Sequence, residues 1–473
     1  MYRVRAGGRD DELSAGLGKL RDEFGIPSEF PPAVLAAATE AASRRPGART
    51  HVDRTYVEFR TLDPAGSTDL DQAFAIEIAG SSADRADVLL RYAIADVGFF
   101  VDHGGVIDEE AWRRGTTHYL PDGRAPLYPE ALGEAAASLL PDGPRPAVVF
   151  VVRIDSDGNA TLDGVERAVI HSRAKLDYAD VTAADLPAGF AELSRRIVAA
   201  EDRRGAPRVE FPEQELEQVE TPRGTVWELR FDPRLESEDH NAGMSLATNL
   251  AVAAALHEAG TGLFRVMADV PDEAIGRLRH TARAVGLDWP PEQPLGRFQR
   301  SLRTTDPRAA AFLLAMRRAA GSASYEPYRA GVTPWHSAMA ATYTHATAPL
   351  RRLADRYVVE GALAVANGRR VPDDVLRAYE ELPAVMERAA GLAGQVDAAA
   401  LDLAEAVLLA GRVGEVFDGV IIDEDRRGPT MQIAEPAVLV RVNARRVDPG
   451  DEIRAKLVAA DPASRRVEFE RVE

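Results

Sequence analysis

Apolar residues at three- and four-residue spacing dominate the first part of the chain: Leu13, Leu17, Leu20 and Phe24. An alanine-rich run continues the pattern from Val34 to Ala42. Such spacing places side chains on one face of a helix, so helices are predicted between about Asp10 and Ser43, interrupted by prolines. The segment Arg44 to Arg49, with its proline and glycine, has the composition of a linker.

Strand signals replace the helical pattern from Thr55 to about Ile170. Short β-rich runs such as Asp87–Ile94 and Ala147–Ile154 alternate there with turns. From Leu176 to about Ala410, helical patterns rich in alanine, leucine and glutamate dominate. This order of strands and then helices predicts an α+β domain.

Strand character returns in about the last sixty residues. Gly414–Ile422, Ala437–Val442 and Glu452–Val458 are separated by glycine, proline, aspartate and asparagine. Several short strands at this spacing predict a small barrel or sandwich at the end of the chain.

Length and composition limit the class of protein. The 473 residues allow two or three domains, each with its own core. The chain has no cysteine, which excludes disulfides, thiolate zinc sites and cysteine nucleophiles. No apolar run approaches the length of a bilayer span, and the first residues carry no apolar secretory segment. We therefore expect a cytoplasmic protein without a membrane partner.

The charge balance limits how the chain can bind nucleic acid. Its formal net charge is −18 at pH 7. A protein that coats nucleic acid through general attraction usually presents a basic face to the phosphates. Any positive potential for RNA must therefore be local, in a channel or on a patch.

Candidate chemistry is concentrated in Asp63, Asp69 and Asp71, which lie within nine residues of each other. Side chains alternate along an extended segment, so Asp69 and Asp71 can point the same way. A turn at Pro64 and Gly66 would bring Asp63 beside them. Carboxylates this close repel each other unless a cation lies among them, and oxygen ligands without histidine or cysteine suit Mg²⁺ or Mn²⁺.

Two other interpretations of the aspartates are open. An acidic surface turn would use the same residue types, although the apolar strand Ala73–Ile76 directly after the acids favours a site. Asp69-Leu-Asp71 also has the form of the D-x-D motif of nucleotide-sugar transferases. That motif is only three residues long and leaves the rest of the chain unexplained.

The aspartate segment resembles the D-x5-D-x-D-D-A signature of the ribonuclease II (RNB) family of 3′→5′ exoribonucleases. Asp63, Asp69 and Asp71 match the first three acids, Ala73 matches the closing alanine, and Gln72 replaces the fourth acid. Further blocks of the family are matched in order by Tyr92–Val97, Asp108–Asp122 and Ala348–Asp355. The resemblance runs from about Tyr56 to Gly368.

The resemblance implies an RNB-type catalytic domain of α+β class with a C-terminal OB fold. Expected divisions are a helical N-terminal region and linker (1–50), the catalytic domain (51–370), a helical connection (371–410) and an OB-fold RNA-binding domain (411–473). About fifty residues at the start are too few for the two cold-shock domains that relatives commonly carry there. The implied activity is metal-dependent, processive 3′→5′ hydrolysis of single-stranded RNA to 5′-mononucleotides, with Mg²⁺ or Mn²⁺ as cofactor.

Site residues are carried over from the matching positions. Asp63, Asp69, Asp71 and Gln72 are the expected metal ligands, with Gln72 weak because its oxygen is neutral. Asp71 and Arg351 are the expected catalytic residues, because the matching aspartate is the essential acid of the family and the matching arginine binds phosphate. The expected RNA-binding residues are two aromatic residues that stack on bases and two arginines: Tyr119, Phe211, Arg351 and Arg352.

The arginines follow Pro349, and apolar residues at helical spacing come after them. This pattern predicts a helix from about Pro349, with both arginines in its first turn and Asp355 orienting Arg351. His345, just before it, is expected to be structural.

A different class of function also fits the departures from the family. Gln72, together with Ala247 and Thr248 at a place where relatives have an acidic pair, suggests a catalytically weak or inactive RNA-binding protein on the same scaffold. Nothing in the sequence implies a protein partner.

Overall fold

The computed structural model describes residues 3–5, 10–79, 87–206, 213–221, 224–232, 235–302, 307–425, 428–433, 438–448 and 450–472. Its strands are β1 (Arg3–Arg5), β2 (Val52–Asp53), β3 (Phe59–Asp63), β4 (Gln72–Ala79), β5 (Asp87–Ala95), β6 (His118–Leu120), β7 (Gly123–Ala125), β8 (Arg145–Ile154), β9 (Ala160–Ile170), β10 (Ser172–Asp177), β11 (Glu213–Thr221), β12 (Gly224–Asp232), β13 (Leu263–Val266), β14 (Ser324–Pro327), β15 (Val416–Asp425), β16 (Gly428–Ile433), β17 (Val438–Asn443), β18 (Glu452–Asp461) and β19 (Arg466–Val472). Its helices are α1 (Asp10–Glu23), α2 (Pro32–Ala42), α3 (Val97–Phe100), α4 (Val106–Arg114), α5 (Phe190–Arg204), α6 (Glu236–Glu258), α7 (Asp272–Ala284), α8 (Leu295–Ser301), α9 (Pro307–Ala319), α10 (Leu353–Ala366) and α11 (Asp373–Leu409). A π-helical turn spans Ala131–Ala136.

The largest sheet has seven strands in the order β10-β3-β4-β5-β8-β9-β2. The two pairs at its edges, β10 with β3 and β2 with β9, are parallel, and the remaining pairs are antiparallel. The central strands β5 and β8 are apolar and mostly buried, because helices such as α6 and α10 pack against the sheet. This sheet carries β3 and β4, which flank the aspartate cluster.

The N-terminal helices and the C-terminal barrel agree with the sequence. Helices α1 and α2 occupy the predicted segment between Asp10 and Ser43. The last five strands form a closed barrel in the order β15-β16-β17-β19-β18, which confirms the predicted small barrel. Together with the sheet and helices before it, the barrel gives the α+β class that the sequence predicted.

Helices dominate from Leu176 onward, as predicted, but two pairs of strands that the sequence did not predict, β11 with β12 and β13 with β14, lie in the same stretch. Residues of β11 and β12 form an antiparallel hairpin, and β1 adds a third strand to it. Leu216, Trp227 and Leu229 are buried on one face of this small sheet, and charged residues alternate with them along the strands. The period of two along these strands fits a β-strand better than a helix.

A second hydrophobic core joins distant parts of the chain. Leu13, Leu17 and Leu20 of α1 pack with the C-terminal half of α11, with the β11–β12 hairpin and with the interior of the barrel. The 37-residue helix α11 therefore belongs to this core as much as it links the main sheet to the barrel. Within the described part of the chain, no helix is both long enough and apolar enough to cross a bilayer.

Candidate active site

The predicted turn after Asp63 is present and is held by a lysine from the neighbouring strand. β3 ends at Asp63, and the N–H of Ser67 donates to the carbonyl of Pro64 at 3.0 Å. Lys175 of the parallel neighbour β10 donates to the carbonyls of Ala65 and Ser67, both at 2.6 Å. One ammonium group therefore fixes the turn between the first and second aspartates.

The segment that carries Asp69 is anchored by a buried serine. The Ser138 hydroxyl donates to the carbonyl of Thr68 at 2.7 Å and accepts from the N–H of Leu70 at 2.9 Å. The Leu70 side chain is fully buried, and its carbonyl accepts from the N–H of Leu139 at 3.0 Å. Burying Leu70 leaves the neighbouring aspartates on the opposite side of the segment, toward the site.

Asp71 is the most enclosed of the three acids. One carboxylate oxygen accepts from the N–H of Leu350 at 2.7 Å, and the other lies 3.3 Å from Nε of Arg351. Burial raises the pKa of Asp71 to about 7, even though Arg351 and the Leu350 N–H act in the opposite direction. Asp71 and Arg351, predicted from segments 280 positions apart, therefore meet in the fold.

Asp63 carries an unused buried oxygen. Its Oδ2 is buried and has no hydrogen-bond partner among the described residues. Burial raises the pKa of Asp63 to about 6, and Asp69 adds to this effect, whereas Arg351 and Lys175 oppose it. An unpaired buried carboxylate oxygen is costly, so this oxygen fits a site for a cation.

Asp69 is paired with an arginine that the sequence analysis did not single out. Its Oδ1 accepts a short hydrogen bond from Arg124 of β7. Arg124 also reaches Glu134, at 2.7 Å, and the Thr68 hydroxyl, at 2.8 Å. As placed, no three histidine, aspartate or glutamate side chains of the described residues form a ready-made metal site.

Gln72 has a partner of its own. The hydroxyl of Tyr92 on β5 donates a short hydrogen bond to Oε1 of Gln72. The amide oxygen that was expected to ligate a cation is therefore already engaged by a buried phenol. The three aspartates fit a hard cation through their oxygen chemistry and the free Oδ2 of Asp63, and Gln72 fits it least.

The helix predicted from Pro349 begins later. α10 starts at Leu353, and Arg352 before it is extended, with φ −130° and ψ 120°. The loop after α4 holds this stretch: Thr117 N–H and the Thr116 hydroxyl donate to the carbonyl of Arg351 at 3.0 and 2.7 Å. This long-range pairing, which no local pattern shows, keeps the arginines out of the helix.

The two arginines have different surroundings, and the expected Arg351–Asp355 pair is wrong. Asp355 instead binds Arg352 through two hydrogen bonds of 2.8 and 2.7 Å and accepts from the N–H of Ala348 at 2.9 Å. Arg351 faces Asp71, and its side chain is 40% exposed. Arg351 is therefore available to a ligand, whereas Arg352, with its side chain 20% exposed, is engaged by Asp355.

Of the two expected stacking residues, Tyr119 lies among the described residues. Tyr119 of β6 is 51% exposed, and partial burial and the nearby Asp69 raise the pKa of its hydroxyl to about 12. Phe211 lies outside the described residues. Ala247 and Thr248, at the place of the acidic pair in relatives, are both buried, and the Thr248 hydroxyl donates to the carbonyl of Met244 at 3.0 Å.

A polar network lies behind the arginines, and the sequence does not show that its members meet there. Asn249 of α6 accepts from the N–H of Ala346 at 2.9 Å and donates to the hydroxyl of Tyr343 at 3.2 Å. The Tyr325 hydroxyl and Nδ1 of His345 are 2.7 Å apart, and burial lowers the pKa of His345 well below its usual value. His345 is therefore a neutral ring in the support of the arginine segment, as expected for a structural residue.

Comparison with known proteins agrees with this geometry. Residues 52–361 match the RNB domain, and residues 415–472 match the RNase II-type exonuclease C-terminal S1 domain. The chain belongs to the RNB family. The RNB match contains Asp63, Asp69, Asp71 and Arg351, and the S1 match coincides with the closed barrel.

Relatives of this RNB protein include proteins named as nucleases. Ribonuclease R of Aquifex aeolicus is 25% identical over 512 residues, which cover 98% of this chain and 71% of that protein. The structure of Mycoplasma genitalium RNase R in complex with ribose methylated single-stranded RNA superposes with a TM-score of 0.83 at 20% identity, covering 98% of this chain and 78% of that one. Yeast Ssd1, described as a pseudonuclease, has the same fold with a TM-score of 0.66 at 16% identity, covering 95% of this chain and 57% of that one.

Proposed function

We propose that this RNB protein is a metal-dependent exoribonuclease that hydrolyses single-stranded RNA processively from the 3′ end and releases 5′-mononucleotides. The observation that carries the proposal is the meeting of Asp63, Asp69 and Asp71 with Arg351. A free buried carboxylate oxygen on Asp63 lies in the same site. The names of the relatives support the same activity.

The carboxylates are the proposed holders of Mg²⁺ or Mn²⁺, with Asp63 and Asp69 as anchors and Asp71 beside them. Asp63 has a buried oxygen without a hydrogen-bond partner among the described residues, Asp69 is paired with Arg124, and Asp71 is paired with Arg351. All three offer only oxygen ligands. Hard oxygen donors of this kind suit both cations. When bound, the cation would supply positive charge for the phosphate and for the attacking water.

Asp71 and Arg351 have complementary roles in the proposal. The Leu350 N–H and Arg351 hold the Asp71 carboxylate in one orientation, in which it can accept a proton from the attacking water. Nε of Arg351 lies 3.3 Å from Asp71, and the side chain is 40% exposed, so its guanidinium can also meet a phosphate. A guanidinium in this place stabilises the charge that builds up on the phosphate oxygens.

Tyr119 and the C-terminal barrel are the proposed binding elements for RNA. Tyr119 is half exposed beside Asp69, where a terminal base can stack on it. Exposed basic residues of the barrel, including Arg445, Arg446, Arg454 and Lys456, give the local positive charge that an acidic chain needs to bind RNA. Arg352, tied to Asp355, keeps the arginine segment in place.

A directional assay tests the proposal. RNA labelled at the 5′ end is incubated with the protein and Mg²⁺ or Mn²⁺, beside the same RNA blocked at its 3′ end. We expect shortening of the free substrate, release of 5′-mononucleotides and no shortening of the blocked one. Absence of 3′ shortening with either cation contradicts the proposal.

A second candidate is an RNA-binding protein without turnover. The engagement of Gln72 by Tyr92 and of Asp69 by Arg124 favours it, because both residues were expected to be ligands. Tight RNA binding with no products at millimolar Mn²⁺ would support this second function. The remaining features, Asp63, Asp71 and Arg351, favour the enzyme.

A further inference from the structure

Arg124 is shared between two carboxylates at the edge of the candidate site. We propose that Arg124 is a positioning residue that competes with the divalent cation for Asp69, and that Glu134 sets how strongly it competes. The inference rests on the proposed metal site, but not on RNA hydrolysis. It concerns a residue that the aspartate signature does not include.

Arg124 reaches three acceptors from one short hairpin. β7 carries it opposite Tyr119 of β6, so both side chains lie on the same face of the hairpin. Its Nη1 binds Asp69, and its Nη2 binds Glu134 at 2.7 Å and the Thr68 hydroxyl at 2.8 Å. The side chains of Arg124, Asp69 and Glu134 are only 24%, 15% and 22% exposed, so water screens these contacts incompletely.

Glu134 is an alternative ion-pair partner for Arg124 when Asp69 binds a cation. It projects from the π-helical turn Ala131–Ala136 and also accepts from the Thr68 hydroxyl at 2.6 Å. A partly buried guanidinium left without a carboxylate would be costly, and Glu134 removes that cost. A cation can therefore take the Asp69 carboxylate while Arg124 keeps its charge on Glu134, beside Tyr119.

A purely structural role is the simpler explanation, and other contacts already perform it. The segment Thr68–Leu70 is fixed to the chain after the π-helical turn by the Ser138 hydroxyl and by the Leu139 N–H. These bonds use backbone groups and do not involve Arg124. The distinctive property of Arg124 is therefore its hold on the Asp69 carboxylate.

The test is calorimetric titration of the full chain with Mn²⁺ in the absence of RNA. Arg124→Gln frees Asp69, and we expect the dissociation constant for Mn²⁺ to fall by about tenfold, the order of one partly screened charge-assisted bond. Glu134→Gln removes the alternative partner, so Arg124 holds Asp69 more tightly and the constant rises by about threefold. In the double variant, Glu134 no longer has an arginine to hold, so the constant should equal that of Arg124→Gln within about a factor of two.

This non-additivity separates the proposal from a general charge effect. Two independent charges would change the constant of the double variant by the product of the two single fold-changes. Such multiplicative changes in the double variant would overturn the proposal. So would an unchanged dissociation constant for Mn²⁺ in Arg124→Gln, or failure of the wild type to bind Mn²⁺ at all. Thermal unfolding of each variant shows whether it is folded. Arg124→Lys keeps the positive charge but loses the planar guanidinium, so its dissociation constant for Mn²⁺ should be intermediate.

Arg91→Gln is the matched control. Arg91 pairs with Glu77 across β5 and β4 at 2.7 Å, with similar exposure of the arginine at 22%, but it has no contact with the aspartates. Its Mn²⁺ constant should equal that of the wild type. If the Mn²⁺ constants follow the expected order and no variant hydrolyses RNA, the proposed function fails and the competition stands.

Discussion

Burial and pairing give the three site aspartates different properties. Asp63 and Asp71 have raised pKa values, about 6 and about 7, because their carboxylates are largely removed from water. Asp69 is instead satisfied by Arg124. The residues that the motif treats alike therefore differ in burial and in hydrogen-bond partners.

The raised pKa of Asp71 predicts that cation binding depends on pH. A carboxyl group with a pKa of about 7 is protonated in part at neutral pH, and the proton must leave before a cation binds. The affinity for Mn²⁺ should therefore rise from pH 6 to pH 8, by up to about tenfold per pH unit below the pKa, and then level off. Titrations at pH 6, 7 and 8 in buffers of different ionisation enthalpy measure both the affinity and the released proton. An affinity that is constant over this range, with no proton release, contradicts the assignment of Asp71 to the cation site.

A variant at position 72 tests whether this side chain contacts the cation. Gln72→Asp restores a charged oxygen, and the number of donors that can reach a cation increases. Because the Tyr92 hydroxyl holds position 72, the gain should be larger when Tyr92→Phe is added to the same chain. The Mn²⁺ concentration at half-maximal binding should fall in Gln72→Asp and fall further in the double variant. Equal half-saturation in all three chains would show that position 72 does not contact the cation.

Local sequence patterns predicted the helices and strands whose formation depends mainly on neighbouring residues. The helices at Asp10–Ser43 and the terminal barrel follow from the spacing of apolar residues and from turn residues. The start of α10 does not, because contacts from Thr116 and Thr117 keep Arg351 and Arg352 out of the helix. The same limitation explains the hairpin β11–β12, whose burial by α1 and α11 is a property of the fold.

The sequence predicted the charged residues of the site. It did not predict the residues that hold them in place. The aspartate spacing and Arg351 were visible in the sequence. Their supports come from elements 55 to 110 positions away: Lys175, Ser138 and Arg124. Lys175 and Arg124 are ordinary strand residues in the sequence, and no local signal marks them or Ser138.

Ser138 predicts how the aspartate segment depends on its support. Ser138→Ala leaves the buried N–H of Leu70 without a partner, so the free energy of unfolding should fall by about 1–3 kcal/mol. The affinity for Mn²⁺ should fall with it, because Asp69 and Asp71 flank Leu70. Chemical denaturation and metal titration measure the two effects. Ser43→Ala, which removes an exposed hydroxyl at the end of α2, should change neither. Loss of stability with unchanged Mn²⁺ affinity would limit Ser138 to a structural role.

At the scale of the whole molecule, the proposed division at residues 50, 370 and 410 stays a prediction. The second core crosses it, since α1 and the end of α11 bury side chains together with the barrel. The net charge of −18 makes the placement of basic residues decisive for RNA binding. The exposed arginines of the barrel are the proposed source of local positive charge.

The barrel predicts a measurable salt dependence. Arg445→Gln and Arg446→Gln each remove one exposed positive charge, so RNA binding should weaken to a similar extent for all sequences. The slope of the logarithm of affinity against the logarithm of salt concentration should become shallower by about 1 for each phosphate that the variant no longer neutralises. Arg277→Gln, on α7 and paired with Glu273, serves as the control with an unchanged slope. An unchanged slope in the barrel variants would place the RNA-binding surface elsewhere.

Hydrolysis of RNA at the aspartate and arginine site is best tested with the variant Asp71→Asn. The substitution keeps the size of the side chain and removes the carboxylate that faces Leu350 N–H and Arg351. The measurement compares single-turnover shortening of RNA from the 3′ end by the wild type and the variant, together with RNA affinity in chelator. We predict loss of hydrolysis by at least about 100-fold, the scale of a lost general base, with RNA affinity unchanged or slightly higher. Hydrolysis at the wild-type rate by a folded Asp71→Asn chain would contradict the account.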